Sequence, residues 1–293
     1  MSKYWSEVTR NAEPYIPGEQ PKDKKYIKLN TNENPYPPSE KVIKAIKDST
    51  GEDLKLYPEP TVEKLSIAIA DYYSVKKEQV FVGNGSDEVL AFSFMAFFDP
   101  GETILFPDIT YSFYPVYANL FKLNQELIVL EEDFSLPLEG FFKKNDGIIF
   151  PNPNAPTGKY VELEFIEEIL KKNNDKVVIV DEAYIDFGGE SAINLIDKYS
   201  NLLVIQTLSK SRSLAGLRVG FAVGSEELIE GLNRIKNSIN SYTIDTLALN
   251  GATEAIKDVE YFEETRNKII NTRERVTKEL IEAGFNVIDS KTN

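Results

Sequence analysis

The sequence contains no cysteine and no histidine among its 293 residues. The first absence removes disulfides, thiolate nucleophiles and zinc–thiolate centres. The second removes Ser-His-Asp and Cys-His catalysis and imidazole ligation of metals. Acid–base chemistry is left to Lys, Tyr, Asp, Glu or a bound cofactor. Basic residues are also few: 33 Lys and Arg against 47 Asp and Glu give a net charge of −14. A broad nucleic-acid surface, which needs clustered cations, is therefore not expected. A few cations gathered in a pocket could still take a small anion. No apolar run is long enough to cross a bilayer. The most apolar one, Val89 to Phe98, closes on Asp99-Pro100-Gly101. The stretch from Met1 to Arg10 has no signal-peptide core. The expectation is a cytoplasmic protein without membrane or nucleic-acid partners.

Hydrophobic residues make up 42% of the chain, and its length suffices for more than one domain. Residues 1–40 read as an irregular arm with an apolar anchor from Tyr26 to Leu29. Pro35, Pro37 and Pro38 exclude a helix there, and Ser39 caps one over Glu40 to Lys47. A second helix opens at Thr61-Val62-Glu63-Lys64 and runs to Tyr73. Short apolar strands are expected at Gln79–Val82, Thr103–Phe106, Leu127–Leu130, Gly147–Phe150, Val177–Val180 and Leu202–Thr207. Helical patterns at Ser86–Phe97, Tyr111–Leu120 and Glu162–Lys171 alternate with them. Such alternation implies an α/β fold, a mostly parallel sheet sandwiched by helices. Ligands in such sheets lie beyond the carboxyl ends of the strands. The alternation stops near residue 225. Helices then follow at Glu226–Lys236, Thr246–Ile256 and Tyr261–Ala283, with a strand beginning at Asn286–Ile288. The expected division is an arm (1–40), a large domain (41–245) and the start of a small domain (246–293).

The chemistry-bearing features all follow strands. Thr207-Leu208-Ser209-Lys210 comes first, with Arg218 in Gly216-Leu217-Arg218-Val219-Gly220 eight residues on. A Lys at a strand end can attack a carbonyl if its amine is kept neutral, and an Arg in a glycine-flanked turn can grip a phosphate. Asp181 closes the strand before Glu182-Ala183-Tyr184, so its carboxylate is buried and needs a cation or several donors. Gly83-Asn84-Gly85-Ser86-Asp87-Glu88 joins a strand to a helix and can form an anion site. It is not the dinucleotide fingerprint, because Glu88 stands where the third glycine belongs. Pro151-Asn152-Pro153-Asn154-Ala155-Pro156-Thr157-Gly158 is a rigid turn presenting amides, and Tyr111 offers an aromatic face. Each feature alone has an ordinary reading as a loop charge, an ion pair, a turn or a core ring.

Together and in this order they resemble the fold-type I pyridoxal-phosphate aminotransferases. Leu29-Asn30-Thr31-Asn32-Glu33-Asn34-Pro35-Tyr36 and Leu56-Tyr57-Pro58-Glu59-Pro60 narrow the resemblance to the histidinol-phosphate aminotransferase subfamily. It implies a homodimeric enzyme of histidine biosynthesis that uses pyridoxal 5'-phosphate to convert histidinol phosphate and 2-oxoglutarate into imidazole-acetol phosphate and glutamate. Lys210 would form the Schiff base and shift protons. Asp181 would pair with the ring nitrogen and Tyr184 with the ring oxygen, and Tyr111 would stack on the ring. Gly85, Ser86, Asp87, Ser209 and Arg218 would hold the phosphate, joined by Tyr57 across the dimer interface. The family's Asn before Pro-Thr-Gly is Ala155 here, and Asn154 is its expected substitute. Family members also extend further and carry a substrate-binding Arg there. The resemblance therefore implies an incomplete small domain and impaired turnover. The same scaffold carries aromatic amino-acid aminotransferases and threonine-phosphate decarboxylases, and a chain that folds and dimerises without turnover is a further alternative.

Overall fold

A computed structural model describes residues 2–16, 18–19 and 27–293. Tyr26 of the expected apolar anchor lies outside these residues. Ile27 and Leu29 are exposed, so they are not buried against any of the described residues.

In chain order the elements are α1 (Glu7–Asn11), α2 (Glu40–Asp48), α3 (Glu63–Tyr73), β1 (Val80–Gly83), α4 (Gly85–Phe97), β2 (Thr103–Pro107), α5 (Phe113–Leu120), β3 (Asn124–Ile128), β4 (Gly147–Pro151), α6 (Leu163–Lys172), β5 (Val177–Asp181), β6 (Leu202–Thr207), β7 (Gly220–Gly224), α7 (Glu226–Ile239), α8 (Thr246–Lys257) and α9 (Val259–Glu282). The strands form one seven-stranded sheet in the order β1-β7-β6-β5-β4-β2-β3. β7 runs antiparallel to both neighbours, while the other pairs are parallel. The expected mostly parallel sheet between helices is thus present.

Alternation along the strands sorts their side chains onto two faces. Val178, Val180, Leu202 and Val204 join α3, α6 and α8 in one core. Ile179, Leu203 and Ile205 join α4, α5 and α7 in the other. Each fully buried side chain of this kind contributes about 1.5–3 kcal/mol. Ser39 caps α2 as expected, accepting from Val42 N–H at 3.3 Å. Asp245 caps α8 through Leu247 and Ala248 N–H, both at 2.9 Å. Ala248, Leu249, Ala252 and Ile256 on α8 pack in the sheet's own core, whereas α9 buries only Phe262, Thr265 and Ile269.

Several boundaries differ from expectation. β3 begins earlier, on Asn124-Gln125-Glu126, and Val129 is exposed beyond its end. An edge strand has one face and one side in water, so polar residues suit it and apolar content misleads. β7 was not expected. Its five residues start and end in glycine and carry little strand signal. The connection from β5 to β6 uses 3-10 turns at Ile185–Phe187 and Ala192–Leu195 instead of an α-helix. No strand forms at Asn286–Ile288. Those residues run as irregular backbone, and Lys291 N–H donates to the Gly158 carbonyl at 2.8 Å. No helix among the described residues is long and apolar enough to cross a membrane.

Candidate active site

Register alone brings the strand ends together. Pro151 pairs with Asp181, Asp181 with Ile205, Thr207 with Gly220, and Gly220 with Gly83. Beyond this edge lies a cavity of about 120 Å³ whose wall includes Ser86, Asp87, Tyr111, Asp181, Tyr184, Ser209, Lys210 and Arg218. Pro151, Ala155, Ala183 and Thr207 complete it.

One wall is an anion cradle. α4 has no side-chain cap, so its first N–H groups are free for a ligand. Gly85 opens the helix at φ +79, where a side chain is disfavoured, and a Cβ there would lie 2.6 Å from Arg218 Nη2. Arg218 is itself left-handed at φ 55. Its Nη2 donates to Asp87 Oδ2 at 3.1 Å, and Tyr111 Oη donates to Asp87 Oδ1 at 2.8 Å. Asp87 thereby orients both the guanidinium and the Tyr111 ring. Tyr111 stands in the turn before α5, not inside the helix as expected.

Gly220 determines how closely the cradle approaches the sheet. A Cβ there would sit 2.3 Å from Ser86 N, a backbone atom unable to swing away. Gly220→Ala is expected to push the first turn of α4 outward. It should cost about 1–3 kcal/mol of stability, as overpacking does, and weaken binding of a phosphate-bearing ligand. Thermal unfolding and a phosphate-ligand titration would check this, and unchanged values in both would refute it.

Lys210 reaches the opposite wall. Its Nζ donates to the Thr31 carbonyl at 2.7 Å and lies 5.5 Å from the Tyr184 ring centroid. Burial lowers its pKa from the ordinary lysine value. Asn34 Nδ2 donates to the Lys210 and Ser211 carbonyls at 3.0 and 3.2 Å, fastening the arm to the lysine loop. Asn32 Nδ2 donates to Tyr184 Oη at 3.1 Å, which leaves the phenol's own proton free to donate elsewhere.

Asp181 is 4% exposed. Tyr114 Oη donates to its Oδ2 at 2.8 Å and Ala183 N–H to its Oδ1 at 3.2 Å. Burial pushes its pKa up to about 6 against these hydrogen bonds. No Lys or Arg among the described residues pairs with it. A carboxylate so placed suits a ligand that carries its own positive charge. On the other sheet face, Glu182 accepts from Ser191 Oγ and Ala192 N–H at 2.6 Å and from Gln206 Nε2 at 2.9 Å. Burial raises its pKa to about 7.

These two acids give a pH dependence with a definite sign. Both stay protonated in the folded chain at pH values where the unfolded chain has released its protons. Stability therefore falls as pH rises from about 4 to about 7, and no histidine titrates against the trend. The cofactor-free chain is expected to unfold at lower urea concentration at pH 8 than at pH 5.5. A midpoint that is flat or rising over this range would contradict the assignment.

Three expected residues are not on the wall: Gly85, which opens α4 just before Ser86, Asn154 and Tyr57. Asn154 is fully buried, but its Nδ2 donates to the Ile109 carbonyl and Thr157 Oγ1, both at 3.0 Å. Ala155 lines the cavity instead. The turn folds Asn154 inward because its backbone exchanges hydrogen bonds with Gly158 and Lys159 at 2.7 Å. Asn154 Oδ1 has no hydrogen-bond partner among the described residues. Tyr57 is 82% exposed, stacked on Tyr242 with ring centroids 4.7 Å apart, and is absent from this chain's own cavity wall. Residues not singled out beforehand are Asn32, Asn34 and Tyr114. The first two stand in the quoted Leu29–Tyr36 run, and Tyr114 is one helical turn beyond Tyr111.

The cavity fits pyridoxal 5'-phosphate in its donor set: an amine of lowered pKa, a buried carboxylate without a cation, and a cradle built for an anion. Comparison with known proteins agrees. The family model for class I and II aminotransferases matches residues 24–293. Histidinol-phosphate aminotransferase of Clostridium acetobutylicum is 66% identical over 293 residues, covering 100% of this chain and 83% of the relative. The enzyme of that name from Clostridium beijerinckii is 62% identical, with 100% and 82% covered. A crystal structure of histidinol-phosphate aminotransferase from Clostridium acetobutylicum superposes with TM-score 0.82 at 28% identity over 90% of this chain and 80% of the other. The Sinorhizobium meliloti histidinol-phosphate aminotransferase in complex with pyridoxal-5'-phosphate shares the fold, with TM-score 0.82 at 21% identity over 90% and 73% of the two chains. The chain belongs to the class I and II aminotransferase family.

Proposed function

We propose that this protein is a pyridoxal-phosphate-dependent transaminase that moves an amino group between histidinol phosphate and 2-oxoglutarate. The observation that carries this reading is the convergence of Lys210, Asp181 and the Ser86–Arg218 cradle on one cavity at the carboxyl edge of the sheet. The two clostridial relatives of that name, matched over this whole chain, support the substrate.

When bound, pyridoxal 5'-phosphate supplies an aldehyde that couples to amines and a ring that withdraws electrons from the carbon bearing the amino group. The rest falls to the protein. The α4 N–H groups, Ser86, Ser209 and Arg218 would take the phosphate. Arg218 contributes a planar fork and the helix a partial positive charge. Tyr111, fixed by Asp87, would lie against the ring face. Asp181 would hold a proton on the ring nitrogen, its burial making the pairing strong once a cation faces it. Tyr184, its oxygen already accepting from Asn32, would donate its proton to the ring oxygen. With Ala155 on the wall, Tyr184 would do this without an amide partner from residue 154. Lys210, its amine made more available by burial, would hold the aldehyde by condensing with it, with loss of water, and once freed would take the proton from the amino-bearing carbon of the substrate.

We further propose that the enzyme acts as a homodimer in which Tyr57 of the partner subunit completes the phosphate site. Its exposure in this chain supports that role.

The substrate assignment is tested by comparing kcat/KM for histidinol phosphate with that for phenylalanine, tyrosine and phosphothreonine. Preference for histidinol phosphate is expected. A higher value for an aromatic amino acid, or release of carbon dioxide from phosphothreonine, would replace it with another activity of the scaffold.

A further inference from the structure

We propose that Tyr114 is a positioning residue for Asp181, its hydroxyl holding that carboxylate in one orientation and in its charged form. The proposal rests on the reading of Asp181 as partner of the ring nitrogen.

Tyr114 is 0% exposed, yet it carries a hydroxyl that packing alone does not require. A buried phenol without an acceptor is costly, so Phe would suit a purely apolar place. The ring is held edge-on by Phe106 and Tyr111, at centroid distances of 6.1 and 5.8 Å. That clamp leaves the hydroxyl on Asp181 Oδ2 at 2.8 Å.

The neighbouring phenols behave differently. Tyr111 Oη bonds the Asp87 carboxylate and Tyr117 Oη the Asp87 carbonyl, at 2.8 and 2.9 Å. Tyr114 alone of the three serves Asp181. Burial and the adjacent carboxylate push its own ionisation well above the usual phenol range, so it keeps the proton that it donates to Asp181. The other titratable groups facing Asp181 are Tyr111 and Tyr117 from the α5 region, Asp87 from α4 and Tyr184 from the turn after β5. The cations Lys210 and Arg218 line the same cavity, but they are engaged by the Thr31 carbonyl and by Asp87, and neither pairs with Asp181. The charged form therefore depends on Tyr114 and the Ala183 N–H until a ligand brings positive charge.

The hydroxyl would act through Asp181 on proton retention at the ring nitrogen, not on the grip of the phosphate. This predicts a split. In Tyr114→Phe, kcat should fall roughly ten- to a hundred-fold, the effect of one lost hydrogen bond to a charged group. KM and cofactor affinity should stay within a few-fold.

The decisive readout does not need turnover. In the full chain without cofactor, the Asp181 carboxyl carbon is followed by 13C NMR against pH, its signal identified by its loss in Asp181→Asn. Tyr114→Phe is expected to raise the Asp181 midpoint by about one pH unit or more. Bound 15N-labelled pyridoxal phosphate should then show a lower protonated fraction at its ring nitrogen. Installing 3,5-difluorotyrosine at position 114 keeps ring and hydroxyl but makes a stronger donor, and should move the midpoint the opposite way. This second variant decides the matter if the Phe variant does not fold. Unchanged Asp181 titration in the variant that folds overturns the proposal. If Asp181→Asn itself leaves ring-nitrogen protonation and kcat unchanged, the reading of Asp181 fails and the proposal falls with it. A crippled Asp181→Asn beside a Tyr114→Phe of unaltered titration refutes the Tyr114 role alone.

Discussion

Replacing Lys210 with alanine is expected to abolish the visible absorption of covalently held cofactor and to lower amino transfer by roughly four orders of magnitude or more. General acid–base catalysis alone accounts for about 10²–10⁴, and the covalent route is lost with it. The surroundings are arranged for this amine. Burial lowers its pKa, and the Thr31 carbonyl at 2.7 Å gives it a fixed resting partner. Asn34 holds the backbone of the same residue. Phosphate affinity should fall much less, because Arg218 and the first turn of α4 are untouched. Absorption spectra, equilibrium dialysis with pyridoxal phosphate and steady-state rates separate the two losses. A variant that kept the absorption band and turned over normally would assign the covalent role elsewhere.

Asp181→Asn should produce the next largest effect. Removing one partner of a buried charge pair costs about 3–5 kcal/mol, which corresponds to roughly two to four orders of magnitude in rate. The loss should appear in kcat, because the carboxylate matters most when electrons flow toward the ring. Asn also reverses part of the local pattern, since its NH2 can meet the Tyr114 hydroxyl or the Ala183 N–H. Single-turnover measurement of the amino-donor half-reaction is the appropriate check. A rate within about twofold of the unaltered chain would remove Asp181 from the mechanism.

Much of this arrangement was legible from residue order, because strand ends in a parallel sheet converge by topology. Val177–Val180 and Leu202–Thr207 read as buried strands, and this alone placed Asp181 and Lys210 on one edge. What escaped notice shows where pattern gives out. β7 is short and bounded by glycines, so neither period nor composition marks it, yet Gly220 determines how near α4 comes to the sheet. β3 carries polar residues because it is an edge. Asn32 and Tyr114 make hydrogen bonds across 152 and 67 residues of sequence, and no local rule pairs them with Tyr184 and Asp181. Asn154 was expected on the cavity wall by analogy of position. The tight Asn154–Lys159 turn instead gives that wall to Ala155. Tyr57 illustrates a different limit. One chain shows it exposed, and its proposed partner belongs to a second copy.

The most direct test of the account is to load the chain with pyridoxal phosphate, reduce it with borohydride, and map the modified peptide by mass spectrometry. One cofactor per chain fixed on the Lys210 side chain is the predicted result. Label on a different lysine, or Lys210 recovered unmodified from protein saturated with cofactor, would contradict it.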